Sequence, residues 1–365
     1  MIQDVFIIGA TGKVGRTLAR QIIERGDTDS RRHLNPTRVV GLASSSNLIY
    51  SPKGLPHDEV FKFVERKNDN YKKYSALGEL LDTAKHEKNN LVFVDATSLN
   101  EPMTDFHLRL IEETPYGIVT ANKNPIALSS YETFQRLTND VKRYGYRCSV
   151  MAGAHAVPFL QELRDVNDPP LILQGCFSGT LGYISSELEK GRKFSEILHE
   201  AYKKGYTEPH PRDDLSGLDV ARKLVVLART AGYNANIKDI DLAPFVPKKF
   251  LEEEDINKFM EGINSLDEDF TSRMNNALKK SHTLRYVAQM DARDGIKLSV
   301  SLMEVPKKGS FGSLAGTLNQ LAVVTNTYPE DGPYLIQSPG AGLKVTAQNI
   351  RGDLLYLLPE RKIAL

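Results

Sequence analysis

Val5-Phe6-Ile7-Ile8-Gly9-Ala10-Thr11-Gly12-Lys13-Val14-Gly15 carries the chain from an apolar run into a glycine turn. Leu18, Ile22 and Ile23 then recur at helical spacing, so residues 1–25 read as strand, tight turn and helix. The pyrophosphate of a dinucleotide needs backbone N–H groups at a helix start and no Cβ in its way. Gly9, Gly12 and Gly15 meet both needs, and the stretch predicts the first βαβ unit of a nucleotide-binding domain. The spacing is GxxGxxG, with Thr11 standing where a GxGxxG turn has its second glycine.

Outward from this turn, a second apolar run, Val39 to Ala43, ends in Ser44-Ser45-Ser46. In an NAD-selective site an acidic side chain ends this strand, binds the ribose 2′-hydroxyl and repels a 2′-phosphate. No Asp or Glu stands here, so NADP is the expected cofactor, with NAD as the alternative. Residues 47–90 are charged and tyrosine-rich with weak periodicity, and are assigned to helices and loops. The pattern sharpens at Leu91-Val92-Phe93-Val94, which runs into Asp95-Ala96-Thr97-Ser98, and at Gly117 to Thr120, which runs into Ala121-Asn122-Lys123-Asn124-Pro125. Strands that alternate with helices and end in polar loops predict a parallel sheet whose ligands lie beyond the strand C-termini. The candidate cofactor contacts are Gly9, Thr11, Gly12, Lys13, Val14 and Gly15, then Ser44, Ser45, Thr97, Ser98, Ala121, Asn122 and Lys123, and Gly342 of a late Gly340-Ala341-Gly342 turn.

Beyond about residue 150 the strand–helix rhythm stops. A short strand near Leu171 to Phe177, helices around Ile184–Lys190, Phe194–Lys204 and Leu215–Thr230, and strands near Thr283–Met290 and Lys297–Val305 predict a mixed α+β domain. The expected fold is α/β: a dinucleotide-binding domain over 1–150, a mixed α+β catalytic domain over 151–338, and a C-terminal helix in 339–365 returning to the first domain.

The densest polar cluster is Gly205-Tyr206-Thr207-Glu208-Pro209-His210-Pro211-Arg212-Asp213-Asp214-Leu215-Ser216-Gly217-Leu218-Asp219-Val220-Ala221-Arg222-Lys223. Its prolines hold the first half in a loop, and Asp213 or Asp214 is placed to cap the helix that begins near Leu215. Asp219 and Lys223 share a face of that helix at i, i+4. Oxidising an alcohol needs a hydride acceptor, a group that takes the hydroxyl proton and positive charge near the developing alkoxide. A lysine performs the last two tasks when burial and a neighbouring cation bring its pKa towards neutrality. Lys223 is the candidate proton carrier, Asp219 its orienting partner, and Lys123 the second positive charge. Glu208 and Asp214 are placed to hold the ammonium of an amino-acid substrate.

Phe177-Ser178-Gly179-Thr180-Leu181-Gly182-Tyr183-Ile184, the Gly205 to Lys223 stretch and Thr120-Ala121-Asn122-Lys123 together resemble homoserine dehydrogenase, with weaker similarity over nearly the whole chain. The resemblance implies an N-terminal Rossmann-like domain, a second domain serving catalysis and dimerisation, and NAD(P)-linked reduction of aspartate semialdehyde to homoserine in threonine and methionine biosynthesis, by a homodimer. It also implies that Lys223, Lys123, Glu208, Asp214, Asp219, Tyr206 and the Gly179-Thr180 backbone surround the substrate. The length resembles the stand-alone catalytic form, without an upstream kinase region or a C-terminal regulatory domain. Two departures stand out: Thr11 in the turn, and Val150-Met151-Ala152-Gly153-Ala154-His155-Ala156-Val157-Pro158, which lacks the carboxylate of the family's sodium-binding E-A-T-V-G-A-G-L-P segment. No metal is expected.

Composition narrows the alternatives. The chain has 365 residues, 47 Lys and Arg against 46 Asp and Glu, and a net charge of +1, so no broad field attracts nucleic acid or an anionic membrane. Its apolar runs are far shorter than the roughly 20 residues that span a bilayer. Without the pattern of a secretory signal, residence in the cytoplasm is expected. Cys148 and Cys176, the only cysteines, read as reduced structural thiols, whereas a phosphorylating semialdehyde dehydrogenase needs one as nucleophile. A non-catalytic dinucleotide sensor would keep the glycine turn without needing Lys123, Glu208, Asp214, Asp219 and Lys223.

Overall fold

The structure is a computed structural model and describes residues 2–67, 70–84 and 90–362. The chain forms two compact units, Met1–Gly153 with Ala341–Leu365, and Ala154–Gly340. The architecture is α/β, with a Rossmann-like parallel sheet in the first unit and a second, mixed sheet in the other.

The first unit is built on β1 (Gln3–Ile8), β2 (Thr37–Ala43), β3 (Asn47–Tyr50), β4 (Lys72–Lys73), β5 (Leu91–Asp95), β6 (Gly117–Thr120) and β7 (Tyr144–Gly145), in the order β4-β3-β2-β1-β5-β6-β7. From β2 to β7 the neighbours are parallel, and the order reverses at β1, which lies between β2 and β5. Such a reversal opens a crevice at the C-terminal ends of the two flanking strands, where the glycine turn leaves β1. The apolar runs are continuous because the central strands are covered on both faces: all of β1 and β5 is buried. Helix Lys13–Glu24 buries Leu18, Ala19 and Ile22 against Val5, Ile7 and Val39. The C-terminal helix Leu343–Tyr356 adds Ala347, Ile350 and Leu354 to the same cluster, and the Gln3 amide donates to the Leu354 carbonyl at 2.7 Å.

The assignment of 47–90 to helices and loops is corrected by β3 and β4, which add an antiparallel edge to the sheet. The serine run makes the reversal. Asn47 N–H donates to Ser44 Oγ at 3.0 Å and Ser44 N–H to the Asn47 carbonyl at 2.8 Å, closing a hairpin between β2 and β3. A strand of four residues with polar flanks leaves little periodicity to read.

The second unit holds β8 (Ile172–Cys176), β9 (Ile240–Leu242), β10 (His282–Asp291), β11 (Lys297–Pro306), β12 (Leu318–Val324) and β13 (Tyr334–Pro339), ordered β13-β12-β8-β10-β11-β9. Its pairs are antiparallel apart from β11 with β9. Helices Gly179–Leu188, Leu218–Thr230 and Asp267–Lys279 pack on β10. Alternation along β10 turns Tyr286 towards Phe245, 5.7 Å between ring centres, and Val287 to the opposite face, where it joins Cys176, Phe311, Leu314 and Ala322.

The single helix expected from Leu215 is two, Pro211–Leu215 and Leu218–Thr230, separated by Gly217 at φ +74°. A Cβ there would lie 1.9 Å from the Tyr286 hydroxyl oxygen, so glycine is required sterically as well as conformationally. The capping role given to Asp213 or Asp214 is also corrected. His210 Nδ1 accepts from Arg212 N–H at 3.2 Å and caps the short helix, leaving the carboxylate of Asp214 for other partners.

Candidate active site

Within the second unit, β8 ends at Cys176 and helix Gly179–Leu188 begins three residues later, with Ser178 Oγ accepting from Leu181 N–H at 3.1 Å. The earliest N–H groups of a helix have no intrahelical partner, so Gly179 and Thr180 present theirs just beyond the C-terminal end of β8. A Cβ on Gly179 would press on the Thr317 carbonyl at 3.3 Å. One helical turn into Leu218–Thr230, Lys223 Nζ donates to the Phe177 carbonyl at 2.6 Å and lies 2.8 Å from Asp219 Oδ2. The lysine side chain is 13% exposed and the aspartate 44%, so the ammonium is held from the interior while its partner faces solvent. An ammonium has three donors, and these contacts use two of them.

A second group gathers beside it. Thr180 Oγ1 lies 2.6 Å from the Tyr206 carbonyl and 2.9 Å from Asp214 Oδ1, and Asp214 Oδ2 accepts from Glu208 N–H at 2.8 Å. The Tyr206 ring stacks edge-on against Tyr183, 5.2 Å between centres. Burial pushes the Asp214 carboxyl up to about 6, the nearby Glu208 and Asp219 charges reinforcing this and the two hydrogen bonds from Glu208 and Thr180 opposing it. The Glu208 side chain is exposed. Thus Thr180, Tyr206, Glu208 and Asp214 are joined by hydrogen bonds, and Asp219, Lys223 and Phe177 form a second set. Phe177, whose carbonyl anchors the lysine, was not foreseen, since a backbone acceptor leaves no trace in side-chain patterns.

In the first unit, Gly9 takes φ +77°, and a Cβ on it would meet the Ala96 carbonyl at 2.9 Å. A Cβ on Gly15 would lie 2.3 Å from the Gly9 carbonyl oxygen. Gly12 stands at the N-cap of helix Lys13–Glu24 with no side-chain cap, and Gly12 and Lys13 are exposed. The glycines bring the turn against its own main chain and leave the helix start uncovered, a cradle that fits a pyrophosphate on the helix N-terminus. Val14 is half-buried behind it. Ser44 spends its hydroxyl on the β2–β3 turn, while Ser45 is exposed.

The ends of β5 and β6 are tied together by Asp95, which is fully buried. Its Oδ1 accepts from Thr97 N–H at 2.9 Å and Thr97 Oγ1 at 2.7 Å, and its Oδ2 from Thr120 Oγ1 at 3.3 Å. Burial alone would raise the Asp95 carboxyl, but His107 at 3.2 Å and Thr97 outweigh it and hold the group below the usual range. Asn122 Nδ2 donates to the Leu99 carbonyl at 2.8 Å and lies 3.4 Å from Thr97 Oγ1. The Ser98 carbonyl accepts from Asn124 Nδ2 at 3.0 Å, and Ala121 N–H donates to the Asp95 carbonyl at 3.0 Å. Lys123 is half-buried at the N-cap of helix Asn124–Ala127, and Gly342, φ +139°, caps the C-terminal helix. His107, supporting Asp95 from helix Glu101–Glu113, has no sequence signal beyond being a lone histidine among apolar neighbours.

Neither thiol offers a nucleophile. Burial pushes Cys176 up to about 12 and Cys148 well above its ordinary value. Cys148 lies in a short 3₁₀ turn, Arg147–Ser149. At the position of the family's acid, Val150 is fully buried, and the Ala152 carbonyl is taken by Asn349 Nδ2 at 2.9 Å. The residues present do not fit a sodium site. Among the described residues no cluster of His, Cys, Asp or Glu could hold a metal ion.

The sequence pattern described as Homoserine dehydrogenase matches residues 159–355. The chain belongs to the homoserine dehydrogenase family. The match spans the helix bearing Lys223 and the loop bearing Glu208, in a family of oxidoreductases acting on the CH–OH group of homoserine. Homoserine dehydrogenase of Saccharomyces cerevisiae is 31% identical over 98% of this chain and 98% of its own. A bifunctional aspartokinase/homoserine dehydrogenase of Zea mays is 33% identical over 97% of this chain, which spans 38% of that longer protein. A hyperthermophilic archaeal homoserine dehydrogenase, solved in complex with NADPH, shares the fold with a TM-score of 0.71 at 21% identity, over 97% and 96% of the two chains.

Proposed function

We propose that the protein is a homoserine dehydrogenase that reversibly reduces L-aspartate 4-semialdehyde to L-homoserine with NADPH, in threonine and methionine biosynthesis. The observation that carries this reading is Lys223, held on the Phe177 carbonyl and on Asp219 beside the Asp214 group. The Gly9–Gly15 turn would hold the dinucleotide, which would supply the hydride. Lys223 donates a proton to the developing alkoxide of the aldehyde and takes it back in the reverse direction. Asp219 keeps its ammonium oriented through a single turn of helix. The role given to Lys123 is a second positive charge for that oxygen. Glu208 and Asp214 hold the substrate ammonium, Gly179 and Thr180 offer N–H groups to its carboxylate, and Tyr206 closes beside them.

The decisive assay follows reduced nicotinamide formation when the purified protein is given homoserine with NADP⁺ or NAD⁺. Turnover with NADP⁺ ahead of NAD⁺ is expected, and no turnover with either would end the proposal.

Asp214 makes the binding of homoserine pH-dependent. Its carboxyl titrates at about 6, so the charge that attracts the ammonium is present above that value and lost below it. KM for homoserine is expected to climb as pH falls through about 6, and Asp214→Asn to raise KM throughout and remove this limb. For stability the sign is opposite. The folded carboxyl titrates above its ordinary 3.8, so its stabilising contribution is full below that value and lost as pH rises through about 6. Asp214→Asn is therefore expected to gain roughly 1 kcal/mol at pH 8, read by thermal unfolding. A loss of stability there would contradict the assigned burial cost.

Among the described residues no helix is long and apolar enough to cross a membrane. We place the enzyme in the cytoplasm as a homodimer. The support is the β10 face that carries Val287, where Leu335 of β13 is 47% exposed beside Ala322 and where Met303 and Val305 are half-covered. Light scattering should return the mass of two chains.

A further inference from the structure

Recognition of NADP requires something to meet its 2′-phosphate, and the serines at the end of β2 do not supply a cation. Ser44 is engaged in the hairpin turn and Ser45 carries only a hydroxyl. The structure brings a cation to the turn from elsewhere. Arg66, one residue past the C-cap of helix His57–Val64, reaches back so that Nη2 lies 3.4 Å from Thr11 Oγ1. Thr11 occupies the position of the second glycine, so its hydroxyl and Arg66 form one polar edge at the mouth of the cradle. Arg16 adds a second guanidinium, with Nη2 3.3 Å from the Thr11 carbonyl.

The placement of Arg66 is built rather than incidental. Its backbone is left-handed, φ +56°, which a bulky residue adopts at a cost. The conformation is fixed by Arg66 N–H donating to the Phe63 carbonyl at 3.1 Å and Lys67 N–H to the Lys62 carbonyl at 3.0 Å. The preceding residue, Glu65, is clamped to helix Lys13–Glu24 by Arg20, 2.5 Å away, and also pairs with Lys67. Arg20 lies over the Phe61 ring, 5.5 Å from its centre. The helix end that carries Arg66 is thus pinned to the helix that starts at the phosphate-binding turn. The Glu65 carboxylate itself is committed to Arg20 and Lys67.

We propose that Arg66, assisted by Arg16, recognises the 2′-phosphate of the dinucleotide and is the specificity-determining residue for NADP over NAD. A planar guanidinium presents a two-pronged donor that matches a phosphomonoester, and the hydroxyl of Thr11 adds a neutral donor on the same side. This assignment rests on reading the Gly9–Gly15 turn as the dinucleotide site.

The test is the affinity of NADPH and NADH for the whole protein and for Arg66→Gly and Arg66→Lys, followed by quenching or calorimetry. Glycine accepts the left-handed backbone without strain, so Arg66→Gly removes the side chain while sparing the turn. The expected result is NADPH affinity weakened roughly 10-fold or more in Arg66→Gly, with NADH changed by less than about 2-fold. Arg66→Lys should keep part of the preference because it keeps the charge. Equal weakening of both dinucleotides would overturn the proposal by placing Arg66 on the shared pyrophosphate or in support of the turn. Unchanged affinities would overturn it as well. Failure of the unaltered protein to bind either dinucleotide would instead overturn the reading of the turn itself, and the assignment with it.

Discussion

Replacing Lys223 by alanine is expected to lower kcat roughly 10²-fold or more while leaving dinucleotide affinity almost unchanged. The geometry separates the two effects. Lys223 belongs to the unit Ala154–Gly340 and is anchored there by Phe177 and Asp219, whereas the glycine turn belongs to the other unit. Removing the amine leaves the Phe177 carbonyl and the half-exposed Asp219 to be resolvated, a modest stability cost for a pair so close to water. Pre-steady-state mixing with NADPH and aspartate semialdehyde reads the step directly, and Lys223→Arg provides the control. An arginine keeps the charge but does not release a proton near neutrality, so it should restore substrate affinity without restoring kcat. Unchanged kcat in Lys223→Ala would remove the residue from the chemistry.

Gly15→Ala should do the reverse, abolishing tight NADPH binding and destabilising the first unit while sparing the second. The new Cβ would lie 2.3 Å from the Gly9 carbonyl oxygen and 2.8 Å from Ala10 Cα. Both are main-chain atoms that no rotamer change can move, so helix Lys13–Glu24 must shift away from β1. Overpacking of this kind costs about 1–3 kcal/mol. The shift also misaligns the N–H groups of the helix start, and an NADPH affinity lowered by at least about 10-fold is expected, measured by titration. A variant that bound NADPH normally would show that the turn is a packing device.

The parts of the fold legible in the sequence were those whose physics is local. The glycines of the turn announced themselves because a close approach of backbone to backbone excludes every other residue at Gly15. The central strands read clearly because burial on both faces demands continuous apolar runs, as in β1 and β5. β3 and β4 were lost because strands of four and two residues at the margin of the sheet need neither alternation nor apolar runs. The break at Gly217 was hidden for another reason, since what enforces it is Tyr286, far away in the sequence. The same division holds for the site. Asp219 and Lys223 were legible as an i, i+4 pair, but Phe177 as the lysine's second partner, the support of Asp95 by His107 and the approach of Arg66 to Thr11 all depend on contacts between distant segments.

The first unit is written in two pieces, with all of the second unit between them. On the ribosome, the strands β1 to β7 therefore emerge long before the helix Leu343–Tyr356, whose Ala347, Ile350 and Leu354 complete the cluster that holds Val5, Ile7, Val119 and Cys148. The sheet must wait, with part of its apolar surface bare, while the intervening unit, continuous in sequence, is free to finish first. A nascent chain halted shortly after Gly340 would carry a completed Lys223 neighbourhood and an unfinished nucleotide cradle, an order of assembly opposite to the order of the genetic message.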